Sequence, residues 1–154
     1  LRLRSTPRTH EGENVIKTWD FNGDLQGWVP VDNVTCQSED KRLVCHTTGA
    51  RAFIWSPTFQ EQVDTVEISM KSEHATYGEL LWRTTADDSW GKWNKGRAFP
   101  IAAGEEWVTY RISLQFYNEL EKIPAELTQF RITLGSTNTK YEIDEVRLMR
   151  STKE

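Results

Sequence analysis

Between Val15 and Arg150 the chain breaks into short runs rich in β-branched and aromatic residues: VIKTWDF, NVTCQS, RLVCHTT, RAFIWS, DTVEISMK, ELLWRTT, GRAFPI, EWVTYRISL, LTQFRITLG and YEIDEVRLMR. Clusters of turn-forming residues separate them, and so many runs at this spacing predict an all-β domain. The period of two is clearest in Val66, Ile68 and Met70, in Val108, Tyr110, Ile112 and Leu114, and in Phe130, Ile132 and Leu134. Polar residues stand between these positions, so one face of each strand is core and the other faces solvent. FYNELEKIPAELTQ is the one stretch with a helical pattern, and Pro124 limits it to a turn or two. Antiparallel strands with a single apolar face must stack on a second sheet. The predicted architecture is therefore a two-sheet antiparallel β-sandwich with jelly-roll connections. Residues 1–14, polar and carrying Pro7 and Gly12, read as a linker or tail; 15–150 form the sandwich and 151–154 a second tail.

At 154 residues the chain suits one domain with a sizeable core. No run of about 18 apolar residues exists, which excludes a helical membrane span. No basic-then-apolar leader opens the chain, so a secretion signal, if there was one, has been removed. A net charge of −4 argues against an electrostatic grip on nucleic acid, although Lys92, Lys95 and Arg97 form a local basic patch.

Cys36 and Cys45 are the only cysteines. A two-residue turn at Asp40-Lys41 would set them opposite each other across a hairpin, where they are either a disulfide, implying an oxidising compartment, or two buried thiols. Zinc would find only half a coordination shell there. Asn33-Val34-Thr35 fits a glycosylation sequon.

Seven tryptophans are many for this length. Trp19, Trp28, Trp55 and Trp107 stand at strand boundaries where a sandwich packs its aromatics. Trp82 lies in ELLWRTT, whose two faces are both partly apolar, so its side is open. Trp90 and Trp93 are different: they sit in DDSWGKWNKGR, which has no period, amid Asp87, Asp88, Ser89, Lys92, Asn94, Lys95 and Arg97, with Arg83 upstream. A sugar ring has an apolar C–H face and a polar rim, so it suits a flat indole bordered by donors and acceptors. Trp82, Arg83, Asp87, Asp88, Trp90, Lys92, Trp93, Asn94 and Arg97 are thus the candidate ligand-binding residues. The other reading of the stretch is a hairpin whose indoles fold back over a sheet edge. Arg and Lys here would also suit a uronate or sulfate group.

Catalytic material is thin. His10, His46 and His74 are isolated, and the acid pairs Asp87-Asp88, Glu105-Glu106 and Asp144-Glu145 are adjacent residues, which on a strand point to opposite faces. No phosphate loop or nucleophile elbow appears. The chain is expected not to be an enzyme.

WDFNGDLQGW, LLWRTTADDSW, RAFPIAAGEEWVTYRISL, LTQFRITLG and YEIDEVRL, in that order from Trp19 to Leu148, resemble the galactose-binding-like β-sandwich modules appended to polysaccharide-degrading enzymes. The resemblance implies a secreted, extracellular or periplasmic carbohydrate-binding module. Its partners would be a polysaccharide or oligosaccharide and the catalytic domain of a parent enzyme. It also implies a structural calcium ion where the first and last strands meet, with Asp20, Asn22 and Asp144 as the matching ligands and Asp24 and Glu145 nearby. Against the ion stands a plainer role for Asp20 and Asn22 in capping the turn. The same fold also serves structural or protein-interaction domains that have no affinity for glycans.

Overall fold

The computed structural model describes residues 13–49, 51–85, 95–114 and 126–151. Among them are eleven strands and no helix: β1 (Glu13–Trp19), β2 (Val29–Asp32), β3 (Val34–Ser38), β4 (Leu43–Thr47), β5 (Ala52–Trp55), β6 (Thr65–Ser72), β7 (Thr76–Thr84), β8 (Lys95–Ile101), β9 (Val108–Ser113), β10 (Leu127–Leu134) and β11 (Lys140–Ser151). The expected two-sheet antiparallel sandwich is what forms. One sheet runs β3-β4-β11-β6-β9, with β1 also on β11; the other runs β2-β5-β10-β7-β8. Among the described strands only β3–β4 and β7–β8 pair as sequence neighbours. From β4 to β11 nearly every other connection crosses between sheets, which is the jelly-roll pattern. The helical turn expected in 116–129 falls largely outside the described residues, and its last three positions belong to β10.

The core is the meeting of the two apolar faces. Leu80, Ile54, Phe130, Ile132 and Leu134 from one sheet face Leu43, Val66, Ile68, Met70, Tyr141, Ile143 and Leu148 from the other, all essentially inaccessible. An aromatic group closes one end: Trp28 meets Trp19 edge-on at 5.3 Å and Phe21 at 6.0 Å, while Phe59 stacks on Phe130 at 5.4 Å. Edge-to-face geometry sets the positive rim of one ring on the negative face of the next. Strand β11 keeps Ile143 and Val146 both inward, although they are three residues apart, because its register against β6 slips between Ile143 and Glu145. Asp144 is the extra residue of that bulge and is fully buried.

The β3–β4 hairpin turns as predicted. Glu39 and Arg42 exchange backbone hydrogen bonds around Asp40 and Lys41, whose φ values of 53° and 59° are those a type I′ turn requires. Cys36 then falls opposite Cys45 and the two form a disulfide. Strand β2, of sequence VPVD, is the element that the pattern missed: it is four residues long, carries Pro30 and packs little. An edge strand tolerates a proline because one of its flanks needs no donor.

Candidate functional site

The two outer faces of the sandwich differ in kind. On the six-stranded sheet, charged side chains pair with one another. Arg42 bonds Glu142 and Asp40, Lys71 lies 3.9 Å from the second oxygen of Glu142, Arg111 bonds Glu67 at 3.3 Å, and Arg147 pairs with Glu145. Trp107 also belongs to this region, beneath the Lys71 ammonium at 4.6 Å. It is half-buried, not the core residue that its place beside a strand implied. Beside these pairs Lys71, Glu73, Glu105, Lys140 and Glu142 line a polar cavity of about 210 Å³.

The outer face of the five-stranded sheet carries aromatics. Alternation along β5 sends Ala52 and Ile54 inward, which turns Phe53 and Trp55 outward. The register puts Arg131 of β10 between Trp55 and Leu81 of β7, and in the next row Thr133 between Phe53 and Glu79. Direct cross-strand neighbours stand about 5 Å apart and diagonal ones remain within reach of long side chains. Accordingly the Arg131 guanidinium lies 4.2 Å from the centre of the Phe53 ring, and Arg51, just before β5, lies 6.0 Å from it. Burial pushes the Arg131 guanidinium below its usual range; Glu79 opposes that shift and Arg51 adds to it. Further along β7, Tyr77 is 70% exposed. A groove of about 420 Å³ opens beside it, lined by Pro100, Val108 and Tyr110. From the spacing of strands and residues, Trp55 and Tyr77 are roughly 16 Å apart. The face therefore suits an extended chain better than a single ring.

Two glycines give this face its shape. A Cβ on Gly96 would come within 3.1 Å of Leu81, its cross-strand neighbour, so the missing side chain leaves Leu81 room to lie flat. A Cβ on Gly135 would meet the Tyr77 carbonyl oxygen at 2.5 Å, so only glycine allows the end of β10 to approach β7 so closely.

Of the residues singled out in the sequence, Trp82 is a correction. It pairs with Phe130, sits 3% exposed in the core, and has no surface that a sugar could reach. Arg97 is on the inner side of β8 and donates to the Ser113 carbonyl at 2.9 Å, joining the edges of the two sheets. Arg83 does lie on the outer face, in the row of Gln129 and next to that of Arg131 and Trp55, although it is buried. Asp87, Asp88, Trp90, Lys92, Trp93 and Asn94 lie outside the described residues, in sequence between Thr85 and Lys95. Trp19 and Trp28 are core as expected, whereas Trp55 is half-buried and outward. His46 and His74 are exposed, and His10 lies outside the described residues.

The first and last strands meet as the resemblance implies: Trp19 pairs with Val146, which brings Asp20 toward Glu145 and Asp144. Yet the local chemistry is that of a turn. Asp20 Oδ1 accepts from the Asn22 amide at 3.1 Å and from Gln26 Nε2 at 2.9 Å, while Gln26 Oε1 takes the Asp20 and Phe21 amides at 3.0 Å each. Asp24 accepts the Gln26 amide at 2.8 Å. Among the described residues no three His, Cys, Asp or Glu side chains gather as metal ligands. Calcium takes six to eight oxygens, so an ion beside Asp20 and Asp144 would need backbone carbonyls in addition to their carboxylates.

No family model matches the sequence, and no curated protein matches it. Solved structures do. The first carbohydrate-binding module of BiXyn10A, in its apo form, superposes with a TM-score of 0.63 over 89% of this chain and 99% of its own at 12% identity. A point mutant of the family 29 carbohydrate-binding module CBM29-2, complexed with cellulohexaose, gives 0.61 over 98% and 94% at 15% identity. Another mutant of that module gives 0.59 over 91% of both chains at 16% identity. The fold is that of a β-sandwich carbohydrate-binding module.

Proposed function

We propose that the protein is a non-catalytic carbohydrate-binding module that takes a polysaccharide chain across the outer face of its β2-β5-β10-β7-β8 sheet. The observation that carries this reading is the contrast between the faces. On one, charged side chains pair with each other around a polar cavity, and the other displays Trp55, Phe53 and Tyr77 around Arg131, Glu79 and Thr133. Aromatic rings supply apolar platforms for sugar C–H faces, and the side chains between them supply donors and acceptors for hydroxyls. Trp90, Trp93 and Asn94, between β7 and β8 in sequence, remain candidates for the same role on their residue types alone. Two solved structures of similar fold are carbohydrate-binding modules by name, one of them with an oligosaccharide bound. Attached to an enzyme, such a module raises the effective concentration of substrate at the catalytic domain. The disulfide suits an oxidising, extracellular setting.

Titration with soluble hexasaccharides, followed by tryptophan fluorescence and calorimetry, tests the reading. Trp55→Ala should weaken binding by about tenfold or more, as removal of a central aromatic anchor does, with the thermal midpoint nearly unchanged. Trp90→Ala and Trp93→Ala report on the adjoining loop. If every variant binds as the parent does, or the parent binds no glycan, the outer face is not a sugar site and the sandwich is an accessory or protein-interaction domain.

A further inference from the structure

Asn33 is the only residue between β2, which ends at Asp32, and β3, which begins at Val34. Among the described strands it therefore joins an outermost strand of the five-stranded sheet to an outermost strand of the six-stranded one. An edge strand shows a row of backbone groups against which a strand of another molecule can pair. Here two such edges start from one point, and β2 adds Val29 and Val31, both exposed, as apolar surface beside them. The junction itself is firmly built. Asn33 adopts a φ of 55°, in the left-handed region that asparagine enters more readily than most residues, and its carbonyl accepts the Thr48 amide at 2.8 Å. Its side chain is exposed and lies over Gly49, where a Cβ would stand 3.1 Å from Asn33 Cγ. Thr35 is exposed as well. Asn33-Val34-Thr35 is the one Asn-x-Ser/Thr triplet with x other than proline in the whole chain. Cys36 follows directly, and its disulfide with Cys45 suits the oxidising lumen in which such triplets are modified.

We propose that Asn33 carries an N-linked oligosaccharide, and that this glycan guards the adjoining edges of β2 and β3 against association with other chains. The transfer joins Asn33 Nδ2 to the anomeric carbon of an oligosaccharide held on a lipid diphosphate. The bond from that carbon to the diphosphate oxygen breaks, and one amide proton leaves with the diphosphate. Asn33 keeps its carbonyl oxygen and one N–H, so the side chain can still hydrogen-bond in its turn. The attached sugar is bulky and hydrated, and from this point it covers Val31 and blocks the approach of a strand to either edge. The modification is a covalent mark on this chain, distinct from any polysaccharide taken by the aromatic face, and neither reading needs the other.

The test secretes the chain from eukaryotic cells and reads its intact mass before and after treatment with peptide N-glycosidase. The parent should carry one glycan that the enzyme removes. Thr35→Ala leaves Asn33 in place and should lose the glycan entirely, whereas Thr35→Ser should keep it. On heating, light scattering should show Thr35→Ala associating sooner than Thr35→Ser. Adding Val31→Lys, which sets a charge on the edge, should slow the Thr35→Ala form again. A parent of unmodified mass, or a glycan that survives Thr35→Ala, overturns the site. Equal association of the two Thr35 variants, or no rescue by Val31→Lys, overturns the guarding role.

Discussion

Reducing the Cys36–Cys45 bond should destabilise the protein by an amount that follows from its place in the chain. The bond closes a loop with a sequence separation of 9. Loss of that constraint releases unfolded-chain entropy worth about 2.6 kcal/mol at 25 °C in the loop-closure treatment. Reduction in place leaves both sulfurs packed, so this is the whole expected change. The double substitution Cys36→Ala with Cys45→Ala also empties a fully buried position, since Cys45 is 0% exposed, and should cost about 1 kcal/mol more. Urea denaturation of the oxidised, reduced and doubly substituted forms separates the two contributions. The m-value should rise on reduction because the unfolded chain exposes more surface. The thermal midpoint of the reduced form should fall by roughly 5–10 °C. Reduced and oxidised forms that agree within about 0.5 kcal/mol would refute the reasoning, because the unfolded hairpin would then already be closed without the bond.

Further outcomes follow from burial and close approach. Trp82→Ala, unlike Trp55→Ala, should cost about 3–5 kcal/mol of stability in denaturant melts, because it empties a core position 3% exposed; a loss below about 1 kcal/mol would mean that Trp82 is not packed there. Gly135→Ala should destabilise by about 1–3 kcal/mol, since its Cβ would press on the Tyr77 carbonyl at 2.5 Å; an unchanged melting curve would contradict the approach of β10 to β7. Removing divalent ions with a chelator should leave the thermal midpoint in place, because Asp20 is already hydrogen-bonded within its turn. A fall restored by calcium and not by magnesium would instead establish the ion that the resemblance implies.

The fold was legible because alternation is a backbone property. Wherever Val66, Ile68 and Met70, or Phe130, Ile132 and Leu134, alternate with polar residues, the pleat itself sorts the faces, and the structure keeps that sorting. Alternation also separates Phe53 and Trp55 from Ala52 and Ile54, and Arg131 and Thr133 from Phe130 and Ile132, yet a tryptophan at a strand boundary reads as core, so the outward place of Trp55 was not legible. What the chain alone does not tell is that β5 and β10 are neighbours, which turns two separate outward pairs into one surface. Trp82 was undecidable for a related reason: Leu80, Leu81 and Trp82 are apolar on both faces of β7, and only pairing with Phe130 fixes the inward side. Arg97 looked like a member of a basic rim, but its inward position and its bond to the Ser113 carbonyl depend on where β9 lies. Asp20 shows the opposite limit, for the plain turn-capping chemistry of WDFNGDLQG is local and was readable from the residues themselves.

The pairing of β1 with β11 also decides how the domain would respond to a pull. Glu13 lies opposite Ser151 at the outer end of the ladder, and Trp19 opposite Val146 at the inner end. Tension applied through the two ends of the sandwich therefore meets the rungs one at a time, as a zipper does, and not all together in shear. Among the described residues β1 has no other strand beside it, so it should peel first, at low force, until the load reaches Trp19 and Phe21 in the core. A module strung between a moving enzyme and a fixed polymer would then have a few residues of slack at its root, released and recovered without disturbing the far sheet.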